Sequence, residues 1–288
     1  MATLDRLATY LHHLHLDAPP ERTPDGLARL QAAHRETIGF GNLDLRLGNP
    51  VRIDSEAVFD KLVMRRRGGY CFEHNQLYAD MLSALGFEHR PLLARVRLGL
   101  AQHEIAPRTH VLSLVTLDGE DWVSDPGFGG SFVPPMRLED GMIARTADGA
   151  SHRLRRTGET GDLIGQWLVE RAGPASAKDG RAAPHPDWQP QYGVDLAPVA
   201  QPDLDMGNHW TATHPGSRFL TVHVASIALP GGFASLLDRL LTVHRGNSVD
   251  KSALDTPEAY RGALCDMFGF DYSLAEVKAL PLFGTAAP

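Results

Sequence analysis

Cysteine is scarce in this chain, with two in 288 residues, Cys71 and Cys265. A disulfide framework is therefore excluded, and the count fits a reducing compartment. Long apolar runs are missing too. No stretch of about 18 apolar residues is present, so no transmembrane helix is expected. The opening MATLDRLATYLHHLHLD carries acids and histidines and lacks a long apolar core, so it does not read as a signal peptide. The expected location is the cytoplasm. Positive charge is also in short supply: 28 Lys and Arg stand against 35 Asp and Glu, for a net charge of −7. A nucleic-acid binder would carry the opposite balance, and Arg65-Arg66-Arg67 is too short a run to supply it. No membrane or nucleic-acid partner is expected.

With 43% hydrophobic and 22% charged residues, the composition is that of an ordinary globular protein with a sizeable core. Residues 1–86 read as helical. Leu4, Leu7, Leu11 and Leu14 recur at helical spacing, and Thr23-Pro24-Asp25 is a cap followed by proline at the first helical position. Asp54 or Ser55 can start another helix, and a further one opens at Cys71 and ends at Gly86. The texture changes near residue 90. Arg95-Val96-Arg97-Leu98 alternates with period two, and His110 to Leu117 is β-branched and apolar. Asp118-Gly119 is a turn signal with Asp121 to Asp125 as the return strand, so residues 90–173 read as a barrel or curled sheet. Residues 174–192, rich in Pro, Ala and Gly, read as a linker. Beyond them Phe219 to Val224 reads as a strand, and Pro257 to Met267 as a helix started by Asp255 or Thr256.

The sharpest segment for chemistry is Arg67-Gly68-Gly69-Tyr70-Cys71-Phe72-Glu73-His74-Asn75. Cys71 falls at a predicted helix start, where free N–H groups and the helix dipole favour a thiolate. Two glycines before it let the backbone turn tightly and leave the sulfur uncrowded. A cysteine nucleophile needs a base and an orienting group. Thr109-His110-Val111 and Ser124-Asp125-Pro126-Gly127 supply both on one hairpin. A tight turn at Asp118-Gly119 sets Asp125 opposite a residue past His110, so a bulge or twist is expected to close the gap. Arg67 and Glu73, flanking the nucleophile, are expected to pair with each other. Gly127, Gly129 and Gly130 form a loop whose amides can approach phosphates, although the same pattern is equally a plain turn. Cys265 reads as an inert small hydrophobe. His12, His13 and His15 lack cysteine or carboxylate partners at useful spacing and read as a surface cluster, not a metal site.

RGGYCFEHN, then THV, then DPGFG, in that order, resembles the arylamine N-acetyltransferase family. FGNLDLRLG at 40–48, FDKLVMRRRGGY before the cysteine, and HPGSRF at 214–219 extend the likeness over most of the chain. Gly41 departs from the glutamate of the family's FENL motif, and Pro126 and Gly193 depart at two further places. The resemblance implies an α+β fold in three parts: a helical bundle (1–87) carrying the nucleophile, a β-barrel (88–190) carrying His and Asp, and an α/β lid (191–288). It implies a cysteine-protease-like triad of Cys71, His110 and Asp125. It further implies acetyl-CoA as acyl donor, with Thr109, Gly127, Gly129 and Gly130 near it and no metal. Acceptors would be small arylamines, hydrazines or hydroxylamines, with Phe40, Phe128 and Phe219 against the aryl ring. The sequence leaves three rivals open: an amide synthase acting on a carrier protein, a Cys-His-Asp hydrolase, and a binding module that has lost activity.

Overall fold

The computed structural model describes residues 3–101, 103–173 and 185–284. Helices come first: α1 (Thr3–His13), α2 (Pro24–Thr37), the short α3 (Leu43–Arg46) and α4 (Ser55–Phe59), then α5 (Cys71–Ala84). Their starts follow the sequence signals. The Thr23 side chain accepts from Gly26 N, and Asp54 accepts from Ala57 N, caps worth about 1 kcal/mol each. α4 runs on into a π-helical turn, Asp60–Met64. α5 ends at Leu85, and Gly86 follows at φ 79°, a left-handed position that suits glycine. Leu27, Leu30, Leu62, Leu77, Tyr78 and Leu82 pack into one buried core between these helices.

An eight-stranded antiparallel sheet follows: β2 (Glu88–Val96), β3 (Arg108–Leu117), β4 (Glu120–Ser124), β5 (Met136–Arg137), β6 (Ile143–Arg145), β7 (Ser151–Arg156), β8 (Trp167–Gly173) and β9 (His185–Val194). Its order is β5-β4-β3-β2-β9-β8-β7-β6, a nearly closed, barrel-like curl around Leu92, Leu112, Val123, Leu154, Val169 and Val194. The expected linker is corrected here. Residues 174–184 lie outside the described residues, while 185–192 form β9, paired to both β2 and β8. Pro186 and Pro190 are accommodated at its half of the ladder where register shifts interrupt the pairing. Arg95 to Leu98 also differs from its expected alternation. The strand stops at Val96, and Arg97 turns inward, 5% exposed, to donate to the carbonyls of Glu104 and Ala101.

The C-terminal part holds α6 (Gln201–Thr213), a second antiparallel sheet, and the helices α7 (Pro257–Phe268) and α8 (Leu274–Ala279). That sheet comprises β10 (Val224–Leu229), β11 (Gly232–Leu237), β12 (Leu240–Arg245) and β13 (Ser248–Ala253). Its outer edge is closed by β1 (Phe40–Gly41) from the helical part. The strand expected at Phe219 begins later. Arg218–Leu220 is a single 3₁₀ turn, and the ladder opens only at Val224, whose N–H is taken by Asn42 Oδ1. Thr256 is the cap of α7 and accepts from Ala259 N.

Candidate active site

Cys71 is the first residue of α5 and is 5% exposed. The loop before it is fixed from several sides. Gly41 N donates to Gly69 O at 2.7 Å, and Tyr70 N donates to Glu73 Oε2 at 3.1 Å, satisfying a donor at the helix start. The expected pair between Arg67 and Glu73 does not form. Glu73 binds Lys61 at 2.6 Å, whereas Arg67 binds Asp44 at 2.6 Å and Glu276 at 2.7 Å. The two are linked only indirectly, because Lys61 also lies 3.6 Å from Asp44.

The β3–β4 hairpin turns through Asp118 and Gly119, both at positive φ (51° and 82°), as a two-residue turn requires. Leu117 pairs with Glu120 and Ser113 with Ser124. Continuing that register sets Asp125 across from Leu112, one diagonal step from His110 on the same face. Of the two expected devices, a bulge or a twist, the bulge is absent from this side. The bulge lies on the other side of β3, where Ala94 pairs with His110 and Arg95 with Arg108, leaving Thr109 as the extra residue. His110 Nε2 donates to Asp125 Oδ2 at 2.7 Å, with both residues 1% exposed. Its other nitrogen, Nδ1, is thereby left as the basic one.

Asp125 sits at a hub. Gly127 N donates to its Oδ1 at 3.1 Å, and Asn75 Nδ2 lies 3.4 Å from the same oxygen. Gln31 Oε1 accepts from Asp125 N at 2.8 Å and from Ser124 Oγ at 2.6 Å. The Arg35 guanidinium donates to the carbonyls of Asp125 and Pro126. Burial pushes the Asp125 carboxyl up, but the His110 charge and hydrogen bond together with Arg35 outweigh it and hold it below the usual carboxylate range. Burial also lowers Arg35, to about 10, against the pull of Asp125. Arg35 and Gln31 were not singled out in the sequence. Their signal was available: both fall on the Leu27–Leu30–His34 face of α2, where polar residues are out of place unless they have partners.

The thiol behaves differently from the expectation. Burial raises its pKa, and the Asp125 charge adds to this, while the N–H groups of Phe72 and Cys71 pull the other way and lose. In this state Sγ is a thiol and donates to Thr109 O at 3.5 Å. A helix start alone does not ionise a buried sulfur; the proton needs an acceptor.

Cys71 and His110 line one cavity of about 480 Å³. Phe40, Phe128 and Phe219 stand in its wall, as do Thr109 and Gly129. Gly127 and Gly130 do not line it. A Cβ on Gly127 would lie 2.4 Å from Asn75 Nδ2, and one on Gly130 would lie 2.5 Å from Leu98, so their smallness serves packing. Trp210 and Arg218 also line it, neither of them anticipated. Behind the wall Tyr192 packs its ring 5.0 Å from His110 and 4.8 Å from Phe128. A family model described as N-acetyltransferase matches residues 24–277, and a curated arylamine N-acetyltransferase from Mycolicibacterium smegmatis is 35% identical over 92% of each chain. The chain belongs to the arylamine N-acetyltransferase family. Its members are acyltransferases. Among solved arylamine N-acetyltransferases, that of Salmonella typhimurium matches with a TM-score of 0.85 at 32% identity, covering 96% of this chain and 97% of the other. The Mycobacterium marinum enzyme in complex with CoA matches with a TM-score of 0.81 at 32% identity, covering 95% and 97%. Among the described residues, no helix is long and apolar enough to cross a membrane.

Proposed function

We propose that this chain acetylates arylamines, arylhydrazines and arylhydroxylamines from acetyl-CoA by a two-step exchange through an acetyl-Cys71 thioester. The observation that carries the reading is the constellation in one cavity wall: a helix-start cysteine and an imidazole that line the same cavity, the imidazole held through Nε2 by a buried carboxylate at 2.7 Å. In the first step His110 takes the Cys71 proton, and the sulfur attacks the acetyl carbonyl. The bond from carbonyl carbon to CoA sulfur breaks, and the proton returns to the leaving thiolate. Backbone N–H groups at the start of α5, among them those of Cys71 and Phe72, can stabilise the developing oxyanion. In the second step the amine nitrogen attacks the thioester, His110 takes its proton, and Cys71 leaves as thiolate and is reprotonated. Asp125 fixes the tautomer of His110 and stabilises the imidazolium in both steps.

The thiol's raised pKa fits this order of events. Ionisation is coupled to proton uptake by His110, so charge appears as an ion pair and not as a lone buried thiolate. The aromatic wall of Phe40, Phe128 and Phe219 suits a flat acceptor, and its apolar character limits water, whose attack would waste the acyl-enzyme. In this reading the nucleophile, the base and the closing lid come from successive parts of the chain, 1–87, 88–190 and 191–288.

The test is intact mass spectrometry after mixing with acetyl-CoA alone, followed by peptide mapping. The expected result is one acetyl adduct at Cys71, discharged by an aromatic amine or hydrazine and lost in Cys71→Ala. A reactive Cys71 that acquires no acetyl group would overturn the reading in favour of a carrier-protein acyl donor or hydrolysis.

A further inference from the structure

Phe270 occupies a cradle made by three glycines from two separate stretches of chain. A Cβ at Gly39, Gly41 or Gly68 would lie 2.6, 3.0 or 2.4 Å from its ring. The ring is 2% exposed. Gly39 and Gly41 bracket Phe40, which lines the cavity, and Gly68 lies three residues before Cys71. One side chain from the C-terminal part thus rests on the backbone of both the aromatic wall and the nucleophile loop.

The approach of that ring is built into the chain. α7 ends in a left-handed Gly269 (φ 68°), with Phe270 N bonded to Leu264 O and Gly269 N to Cys265 O. This paired closure reverses the chain and aims Phe270 back at the loop. The residues after it hold the same loop. Asp271 N donates to Arg66 O at 2.9 Å, and Tyr272 Oη donates to Arg67 O at 2.7 Å. The Arg67 guanidinium lies 3.8 Å over the Tyr272 ring and pairs with Glu276. The absence of a side chain at position 41, the departure from FENL, adds to the room that Gly39 and Gly68 make for the ring.

We propose that Phe270 is a positioning residue for acyl transfer: it sets the nucleophile loop and Phe40 at one fixed separation, so that Cys71 meets His110 and the acceptor ring in register. The proposal rests on the reading of Cys71 and His110 as nucleophile and base. Catalytic groups tolerate little misplacement, so a small shift of that loop is enough to change how the sulfur meets the imidazole.

The test uses the full chain carrying Phe270→Ala, Phe270→Leu, Gly41→Ala and the double variant Gly41→Ala/Phe270→Leu. Cys71 alkylation by iodoacetamide is followed by peptide mapping from pH 5 to 10, which separates it from the exposed Cys265. Steady-state kcat and KM are measured beside it, with circular dichroism to confirm folding. In Phe270→Ala, kcat is expected to fall about tenfold with KM for the amine changed less than threefold. Alkylation assisted by proton uptake on His110, below the pH at which the buried thiol ionises alone, should be lost. Gly41→Ala should do the same by displacing the ring, and the double variant should recover at least half of the loss. Folded variants with parental kcat and a parental alkylation profile would overturn the proposal, leaving Phe270 as packing alone. If Phe270→Ala does not fold, the double variant decides: no recovery over Gly41→Ala overturns it. A parent without acetyl transfer that still shows Phe270-dependent alkylation would sink the proposed function while supporting the positioning role.

Discussion

Two groups of buried histidines lie within the same molecule and have opposite prospects. His110 has a carboxylate on one ring nitrogen and an open cavity beside it. In the helical part, His34 and His74 are joined through Nε2 and Nδ1 at 2.9 Å, with Tyr10 Oη 2.8 Å from His34 Nδ1 and Gly39 O 3.1 Å from His74 Nε2. The carbonyl of Gly39 can only accept, so His74 Nε2 carries a proton and its Nδ1 accepts from His34 Nε2. His34 Nδ1 then accepts from Tyr10. Each ring spends both nitrogens on protein partners, and neither lines the cavity. Burial, then the neighbouring His74, hold His34 well below the ordinary imidazole range. What sets the two apart is the partner: the His110 ring holds a buried carboxylate and faces the cavity, while the helical pair is held by a tyrosine, a carbonyl and each other.

His110→Gln should give the largest effect. Glutamine can still donate to Asp125 but cannot take a proton, so acetyl transfer should fall about 10⁴-fold with the fold retained, read by stopped acetylation assays. A loss under tenfold would mean that Cys71 is served by another base. Asp125→Asn should cost roughly 10³- to 10⁴-fold, since an amide lets the imidazole take the wrong tautomer and no longer balances the imidazolium. Arg35→Met acts on the support of the same site and should appear in stability first. Removing one buried partner of a charged hub costs about 3–5 kcal/mol, measured by urea unfolding, with transfer by the surviving folded enzyme less affected. The smallest effect belongs to the second histidine group. His34→Gln should leave transfer within a few-fold and cost about 1–3 kcal/mol in unfolding free energy. Transfer lost to the same degree as in His110→Gln would break the contrast and bring the helical histidines into the chemistry.

The same contrast has a pH signature. The folded pKa of His34 is depressed, so the unfolded chain binds the proton first as the solution is acidified. Its stabilising contribution is complete above the unfolded value of about 6.5 and falls by up to about 1.4 kcal/mol per pH unit below it. Urea midpoints of the parent should therefore drop between pH 6.5 and 5, and His34→Gln should flatten that drop. Equal slopes in both proteins would show that other groups set the acid limit.

Local signals in the sequence were dependable where the physics is local. Thr23, Asp54 and Thr256 cap their helices, Asp118-Gly119 makes its turn, and Gly86 ends α5, because each needs only its neighbours. The three residues of the proposed triad were legible from ordered motifs. Illegible features depend on partners far along the chain. β9 is a strand despite its prolines because β2 and β8 flank it, and Phe40–Gly41 forms β1 only because β10 lies beside it. Arg67 prefers Asp44 and Glu276 to the nearby Glu73 for the same reason. Trp210 reaches the cavity from α6, a placement that no local pattern announces.

The clasp on the nucleophile loop joins residues about two hundred positions apart, Asp271 to Arg66 and Tyr272 to Arg67. The hairpin that brings His110 to Asp125 closes over only fifteen. Loop closure is cheap for the second and delayed for the first, since the contacts that repay it arrive with the last helix. During synthesis His110 and Asp125 can therefore meet while much of the chain is still unmade, whereas the loop ahead of Cys71 stays unclamped until residues 270–276 have emerged. The sulfur acquires its final surroundings only at the end of the molecule's own assembly, so a chain cut short before Phe270 would carry the hairpin's pair of groups without a loop held to meet them.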